Sequence, residues 1–411
     1  MKTSKERLPV LYIPSLYFAQ GLPYVLVNSV SVILYKTLGV SNTLIGVTSL
    51  FYLPWVVKPL WSPVVELRAS KRYWIQATEI ALALQLALIA VFLQMPAFFI
   101  LSLIGFILIA LTSATHDIAI DGFYMLALSS EQQAFYVGLR STFYRLAMIF
   151  GSGILVILAG RLEKISLNAR ISWTTVILVC SALTAVLFFF HTWYLPYPAA
   201  KTAQPETSFK KVFRSYFQRE RIGAILTFIL LYRLGEAMLV KMAAPFLLDN
   251  KDAGGLALST ESVGYIYGTL GIISLLIGGI LGGYVVGKFG LRRCMWPLTL
   301  ALNLPDLVYV YLSHFFVSTT IIQLCIAIEQ FGYGIGFSAF LVFLMYTAEG
   351  PYQTAHYAIS TGFMALGMLL PGLASGYLQA LSGYPLFFII VCLLTLPGMA
   401  AIFFIPLPEQ K

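Results

Sequence analysis

The chain has 411 residues, of which 59% are hydrophobic and only 10% are charged, and its formal net charge is +9. Soluble globular proteins carry about 25% charged residues, so this composition excludes a soluble fold and predicts a membrane protein. Because most Lys and Arg residues fall in alternate loops between apolar segments, the positive charge indicates membrane orientation rather than nucleic-acid binding. The four cysteines lie singly in or beside apolar segments, without the spacing of disulfides or metal ligands, and we expect no cofactor and no bound metal.

Twelve apolar segments are long enough to cross a bilayer, which requires about 20 apolar residues. They run near residues 9–35, 43–65, 73–94, 97–127, 133–160, 171–195, 222–248, 260–286, 294–313, 316–347, 351–380 and 384–406. We number them spans 1 to 12. The predicted fold class is an all-α polytopic membrane protein with twelve transmembrane helices.

One long polar segment, residues 196–221, divides the spans six and six. It predicts an N-terminal six-helix bundle at 1–195, a central loop at 196–221 and a C-terminal six-helix bundle at 222–411. Lys and Arg are concentrated in this loop and in the loops on its side, so we expect that side and both termini to be cytoplasmic.

The two halves share short motifs at one constant offset. Gln132-x-Ala134-x-Tyr136, at the start of span 5, recurs as Gln353-x-Ala355-x-Tyr357 at the start of span 11, and the basic loop at 66–72 recurs at 287–293. The repetition predicts a duplicated six-helix unit. Transporters are often built from two such parallel, pseudo-symmetric halves, with a site near the membrane midplane.

This organisation resembles the major facilitator superfamily, whose signature loop follows spans 2 and 8. The second copy, from Gly283 to Arg293, keeps both glycines and the basic residues but has Gly287 in place of the acid; the first keeps the acid as Glu66. The resemblance implies the superfamily fold. It also implies gating or structural charges at Glu66, Arg292 and Arg293.

A second set of motifs occurs in both halves: Lys58-Pro-Leu-Trp61-Ser-Pro63, His116-Asp117-Ile-Ala-Ile-Asp121, Tyr144-Arg145-Leu, Leu231-Tyr232-Arg233-Leu-Gly235-Glu236-Ala, and Glu329 followed by Gly332–Gly336. These motifs resemble those of AmpG-type permeases and the related acetyl-CoA transporters. The resemblance implies proton-coupled import of anhydro-muropeptides from the periplasm across the bacterial inner membrane.

Four charged residues of the second half are candidates for substrate binding or proton coupling: Arg233, Glu236 and Lys241 in span 7, and Glu329 in span 10. Arginine binds anionic groups in two-point fashion, and Glu236 or Glu329 is a candidate proton site. An ion pair that only fixes the helices to one another would use the same residues. Asp306 in span 9 is also acidic, and its role is left open.

A second charged set lies at the facing ends of spans 4 and 5, which we expect to be joined by a turn near Glu131. Counted from that turn, Asp121 lies opposite Arg140 and Asp117 lies opposite Arg145. Charged groups inside a bilayer usually pair, so we predict these two ion pairs. Asp117 and Arg145 are the better candidates for the substrate, whereas Asp121 and Arg140 are interpreted as a gating or structural cluster.

Two further groups adjoin this set. Lys58 should reach a similar depth and share Asp121. His116 is a candidate proton shuttle, because histidine titrates near neutral pH; a hydrogen-bonded helix partner is the simpler interpretation.

Gln20, Tyr24 and Asn28 recur at four-residue spacing on one face of span 1, beside Gly21 and Pro23, which indicate a bend. Such neutral polar and aromatic groups suit sugar hydroxyls. Hydrogen bonds between helices are an equally good explanation of the pattern.

The sequence therefore predicts a monomeric proton-coupled carrier in contact with membrane lipids, importing an anionic glycoconjugate by alternating access. An alternative keeps the fold and changes the cargo to an acetyl-CoA-like nucleotide, an oligosaccharide, a peptide or a drug. A polytopic transferase is a weaker alternative, because the sequence shows no metal-ligand cluster and no nucleophile–base pair.

Overall fold

The computed structural model describes residues 8–197, 209–350 and 352–408, apart from a few side chains inside helices. The regular structure within these ranges is entirely helical. Ten helical segments are long and apolar enough to cross a membrane. They are Pro9–Thr37, Asn42–Leu60, Lys71–Phe92, Phe98–Ala127, Glu131–Ser166, Ala169–Tyr194, Ile222–Leu248, Thr260–Phe289, Thr319–Ala348 and Ala355–Ala401.

The remaining two of the twelve predicted spans are present as a broken helix and as the second half of a long helix. Span 9 is broken into the helices Leu291–Asn303 and Leu307–His314 by the 3₁₀ turn Leu304–Asp306. The last helix, Gln353–Ala401, contains spans 11 and 12, which meet at Gly383, where a φ of 69° and a ψ of 168° interrupt the helix. The structure thus confirms the all-α fold with twelve spans.

Several spans depart from regular α-helix. Spans 1, 5 and 8 contain π-helical segments, and span 7 is interrupted between its two α-helices. The π-helical segments are Leu26–Val30, Phe150–Leu155 and Gly264–Gly271, and the helices of span 7 are Ile222–Leu231 and Leu234–Leu248. Such irregularities are frequent at functional sites.

By its internal contacts the chain divides into two compact units. The first comprises Met1–Leu38 and Val57–Ala203, and the second comprises Gly39–Val56 and Gln204–Lys411. The beginning of span 2 therefore groups with the second unit, although the predicted N-terminal bundle includes it. The division into bundles at 1–195 and 222–411 stays a prediction.

Within the second unit, the beginning of span 2 packs closely on span 11 through glycines. A Cβ atom at Gly376 would overlap the carbonyl oxygen of Asn42, and one at Gly46 would lie 3.0 Å from the carbonyl oxygen of Leu373. Asn42 also donates hydrogen bonds to Gln379 at 2.7 Å and to Tyr384 at 2.9 Å. Small residues let the two backbones approach closely, as is common between membrane helices.

The predicted central loop is partly helical, which corrects the prediction for its second half. Phe209–Phe217 forms a helix, while residues 198–208 lie outside the described part of the chain. The hydroxyl of Tyr216 lies 2.9 Å from that of Ser360 in span 11. Arg219 donates to carbonyl groups at the end of span 10, including that of Glu349 at 2.7 Å.

Candidate functional site

The break in span 7 positions the first candidate residues. Arg233 has φ −111° and ψ 22°, and the helix restarts at Leu234, so Glu236 lies in the first turn of the new helix. An acidic side chain there is favoured by the partial positive charge of the helix N-terminus. The apolar pattern of span 7 predicts one continuous helix, so the break was not predicted from the sequence.

Arg233 is 7% exposed and lies against aromatic rings of span 10. It donates a hydrogen bond to the hydroxyl of Tyr333, and its guanidinium carbon lies 4.8 Å from the ring centroid of Phe337. The flat guanidinium group thus has a cation–π contact on one side. Neither aromatic residue was singled out by the sequence analysis.

Glu236, Asp306 and Glu329 form a buried cluster, which we call the carboxyl triad. Each residue is 1% exposed, and one carboxylate oxygen from each lies within 4.8 Å of the others. Two predicted site residues, Glu236 and Glu329, are therefore brought together. Asp306, whose role the sequence left open, joins them because the 3₁₀ turn in span 9 carries it into the same interior.

Among the described residues, hydrogen-bond donors reach only one member of the carboxyl triad. Glu329 accepts from the amide of Gln330 at 3.0 Å and from the hydroxyl of Tyr309 at 3.4 Å. Neither carboxylate oxygen of Glu236 or Asp306 has a hydrogen-bond partner among the described residues. A buried ionised carboxylate without a partner is costly, so these groups require a proton or a cation.

Lys241 is buried and contacts a different part of the second unit. Its ammonium donates to the hydroxyl of Thr48 at 3.0 Å and lies 5.7 Å from the ring centroid of Tyr52. It thus belongs to the packing of span 7 against the beginning of span 2.

In the first unit, the predicted pair of Asp121 with Arg140 is confirmed. The guanidinium of Arg140 lies 3.0 Å from the carboxylate of Asp121, to which Tyr17 also donates a hydrogen bond at 3.1 Å. The guanidinium carbon lies 4.6 Å from the ring centroid of Tyr17. Spans 1, 4 and 5 are joined by this cluster.

The predicted pair of Asp117 with Arg145 is wrong. Asp117 pairs with Lys58 at 2.7 Å and accepts a hydrogen bond from Gln20, while Lys58 also interacts electrostatically with Asp121. The Nε of Arg145 donates to Ser141 at 3.3 Å. Matching residues by depth ignored helical phase: residues five apart differ by about 140° around a helix, so Arg145 cannot share the face of Arg140.

The connection between spans 4 and 5 lies near Glu131, as predicted. The helix of span 4 ends at Ala127 and that of span 5 begins at Ser130, so Glu131 lies in the first helical turn rather than in the connection. Ser129 caps the new helix together with Gln132. The capping box explains why the chain re-enters a helix so early.

The polar face of span 1 is partly occupied by protein contacts. Gln20 donates to Asp117, and the amide of Asn28 donates to the carbonyl of Tyr24 at 3.1 Å. The side-chain oxygens of Gln20 and Asn28 are buried without a partner among the residues described. Gly21 packs directly on span 5, where an added Cβ would lie 2.8 Å from the carbonyl oxygen of Tyr144.

A buried histidine–glutamate cluster in the first unit was missed by the sequence analysis. Glu79 in span 3 lies 2.6 Å from Nδ1 of His191 and 3.5 Å from Nε2 of His116, and all three are fully buried. Nε2 of His191 lies 2.9 Å from the hydroxyl of Ser15. The signal available in the sequence was Glu79, an acidic residue inside predicted span 3. His116 is thus a helix partner of Glu79.

The signature-loop charges are only partly described. The side chain of Glu66 lies outside the described residues, and Arg292 and Arg293 are exposed at the start of the helix that follows Gly290. Gly290 has a φ of 80°, which favours glycine at this turn. The gating role of the three charges stays a prediction.

Comparison with known proteins gives a family match and distant relatives. Residues 15–354 match the Major Facilitator Superfamily. The chain is 24% identical to the anhydromuropeptide permease of Escherichia coli K12, over 93% of this chain and 76% of that protein. It is also 24% identical to the putative transporter AmpG 2 of Rickettsia typhi, over 97% of this chain and 95% of that protein.

Solved structures show the same fold. The crystal structure of the nucleoside transporter NupG superposes with a TM-score of 0.70 at 15% identity, covering 95% of this chain and 98% of that one. At this identity the likeness concerns the arrangement of the helices alone.

Proposed function

Because this chain belongs to the Major Facilitator Superfamily, a family of transporters rather than enzymes, we propose that it imports anhydro-muropeptides or similar anionic glycoconjugates across the bacterial inner membrane, coupled to protons. Transport follows alternating access, with both termini in the cytoplasm. The observation that carries the cargo is the similarity to an anhydromuropeptide permease over 93% of the chain. The buried charges of the second unit support it.

Arg233 is the proposed anion contact of the second unit. A muropeptide offers carboxylates, which a guanidinium group can bind through two parallel hydrogen bonds. Tyr333 and Phe337 fix the plane of the guanidinium, so less conformational freedom is lost when the anion binds. Lys241 supplies a second buried positive charge on the same span.

Arg145 is the proposed anion contact of the first unit. Its described hydrogen bond is to the neutral hydroxyl of Ser141, whereas Arg140 is already paired with Asp121. A guanidinium without a carboxylate partner among the described residues is a better candidate for a substrate anion than a paired one. Tyr24 and Asn28 are proposed sugar contacts on span 1.

Glu236 and Glu329 are the proposed proton carriers. A substrate anion that binds Arg233 compensates positive charge close to Glu236, and proton uptake by Glu236 then keeps the buried charge balanced. Release of the substrate reverses this balance and favours proton release. The coupling needs only that both ligands act on one electrostatic cluster.

The test is uptake of labelled GlcNAc–anhydro-muramyl peptide into proteoliposomes, with an inward acid gradient present or absent. We expect gradient-stimulated uptake that is lost in Arg233→Ala and Glu236→Gln and retained in Asp252→Asn, an exposed acid that serves as the matched control. Absence of uptake by folded protein would overturn the cargo. Uptake that ignores the gradient would retain the cargo and contradict proton coupling.

A further inference from the structure

We propose that the carboxyl triad of Glu236, Asp306 and Glu329 is a binding site for a sodium ion. The inference deepens the proposed function, on which it rests only for the use of the ion in transport. Ion binding itself is a property of the second unit and can be measured without a substrate.

Two helix irregularities and one continuous helix place the three carboxylates together. Glu236 comes from the restarted helix of span 7, Asp306 from the 3₁₀ turn of span 9, and Glu329 from the middle of span 10. Gly332 permits this approach, because a Cβ atom there would overlap the carbonyl oxygen of Ala301 in span 9. The contact is thus built into the backbone packing of spans 9 and 10.

The hydrogen-bond pattern leaves carboxylate oxygens available to a cation, although Arg233 interacts electrostatically with Glu236. All four carboxylate oxygens of Glu236 and Asp306 lack a hydrogen bond among the described residues, although both residues are 1% exposed. Neutral donors in a protein interior normally satisfy such oxygens. Here the donors from Gln330 and Tyr309 reach only Glu329.

The chemistry of the ligands favours a hard metal cation. The three side chains offer six carboxylate oxygens and no sulfur or imidazole, a set suited to hard cations rather than to zinc or copper. Magnesium usually keeps several of its waters, which a site of 1% exposed residues does not favour. Sodium fits the ligand type and the need for release in each cycle.

Other titratable groups around the carboxyl triad are few among the described residues. Tyr267 of span 8 interacts electrostatically with Glu329 and Glu236, and Cys392 of span 12 interacts with Asp306. Tyr309 faces Glu329 from span 9, and Arg233 precedes Glu236 on span 7.

The experiment measures the thermal unfolding midpoint of the full-length protein in detergent, without substrate, as sodium replaces choline at constant ionic strength. We expect a saturable increase of the midpoint as the sodium concentration rises. The increase should disappear in Asp306→Asn and Glu236→Gln and persist in Asp252→Asn. Equilibrium binding of radioactive sodium to the folded wild-type protein provides a second measurement that does not depend on the variants.

Three outcomes would overturn the proposal. The first is a wild-type protein that shows neither a sodium-specific shift of the midpoint nor bound radioactive sodium. The second is a sodium effect that is undiminished in Asp306→Asn. The third is a shift of the midpoint that calcium produces at lower concentrations than sodium. Failure here is distinguishable from failure of the proposed function, because proton-driven muropeptide uptake would survive a triad that binds no sodium. Sodium binding would likewise survive a wrong cargo.

Discussion

The ammonium of Lys58 lies 2.7 Å from the carboxylate of Asp117 and joins the 3₁₀ turn Lys58–Leu60, at the end of span 2, to span 4. Gln20 of span 1 donates to the same carboxylate. Removing the charge of Lys58 leaves the half-buried carboxylate of Asp117 with one neutral donor. Removing the charges of both Lys58 and Asp117 leaves no charged group unpaired. We expect Lys58→Met to lower the free energy of unfolding by about 2–4 kcal/mol, less than a fully buried pair because both groups are partly exposed.

A double-mutant cycle measures this interaction. Lys58→Met with Asp117→Asn should recover part of the stability lost in Lys58→Met, with a coupling energy of about 1–3 kcal/mol in thermal or denaturant unfolding. Additive losses would show that the pair contributes little and that the turn is held by its packing.

Variants of Arg140 and Arg145 should distinguish a residue that stabilises the fold from one that binds the substrate. Arg140→Ala removes the ion pair with Asp121 and the contact with Tyr17, so we expect a lower unfolding midpoint. Among the contacts of the described residues, Arg145→Ala removes only a hydrogen bond to Ser141, so we expect an unchanged midpoint and about a tenfold or greater increase of KM for an anionic substrate. Arg145→Lys should restore uptake in part, because it keeps the charge and loses the two-point geometry. Equal effects of both alanine variants on the midpoint would contradict this assignment.

Sequence reasoning predicted the spans well because their signal is strong. Segments near 20 apolar residues with charged ends have few alternatives in a bilayer, and even the broken span 9 was recognised by its length and composition. The central helix at Phe209–Phe217 was missed because its composition is polar and basic, as in a loop. Its packing on span 11 through Tyr216 supplies stability that the local sequence does not show.

The sequence predicted which charged residues are candidates better than it predicted which of them pair. Glu236 and Glu329 were selected because intramembrane acids are costly, and the structure brings them together. Their third partner, Asp306, depends on a 3₁₀ turn, which no periodicity indicates. The pair of Asp117 with Arg145 failed because side-chain direction depends on helical phase and on a third element, the turn that carries Lys58.

The buried cluster around Glu79 should be structural. Glu79→Ala would leave His116 and His191 buried without their carboxylate, so we expect a loss of about 3–5 kcal/mol of unfolding free energy. Glu220→Ala, which removes an exposed acid, should change stability by less than about 0.5 kcal/mol. A Glu79→Ala protein that unfolds like the wild type but loses proton-stimulated uptake would instead identify the cluster as a proton path.

Glycine substitutions should distinguish the tight contact of spans 2 and 11 from open helix surface. At Gly376 even a methyl group would overlap the backbone at Asn42, so we expect Gly376→Ala to be destabilising by more than about 2 kcal/mol and to abolish uptake. At Gly283 an added Cβ meets no atom within 4 Å, so Gly283→Ala should be neutral or slightly stabilising. Thermal unfolding of both variants checks the difference. If both variants unfold at the same midpoint, spans 2 and 11 can separate at little cost in free energy.

Arg219 should hold the end of the central segment against the second unit. Its guanidinium donates to the carbonyl groups of Ala348 and Glu349, at the end of span 10, at 3.1 and 2.7 Å, and contacts His356 at 2.7 Å. Burial lowers the pKa of Arg219 from its ordinary value, but an arginine stays protonated at neutral pH, so these bonds persist across the physiological range. Cations near the last carbonyls of a helix are favoured by the negative helix end.

Arg219→Ala should therefore release the helix Phe209–Phe217 from spans 10 and 11. We expect cleavage by chymotrypsin at Phe213 or Phe217 to become at least several-fold faster, because the protease requires a locally unfolded segment. Arg214→Ala, which changes an exposed arginine of the same helix, serves as the control and should leave the rate unchanged. Equal cleavage rates in both variants and the wild type would show that Tyr216 and its contact with Ser360 hold the segment without Arg219.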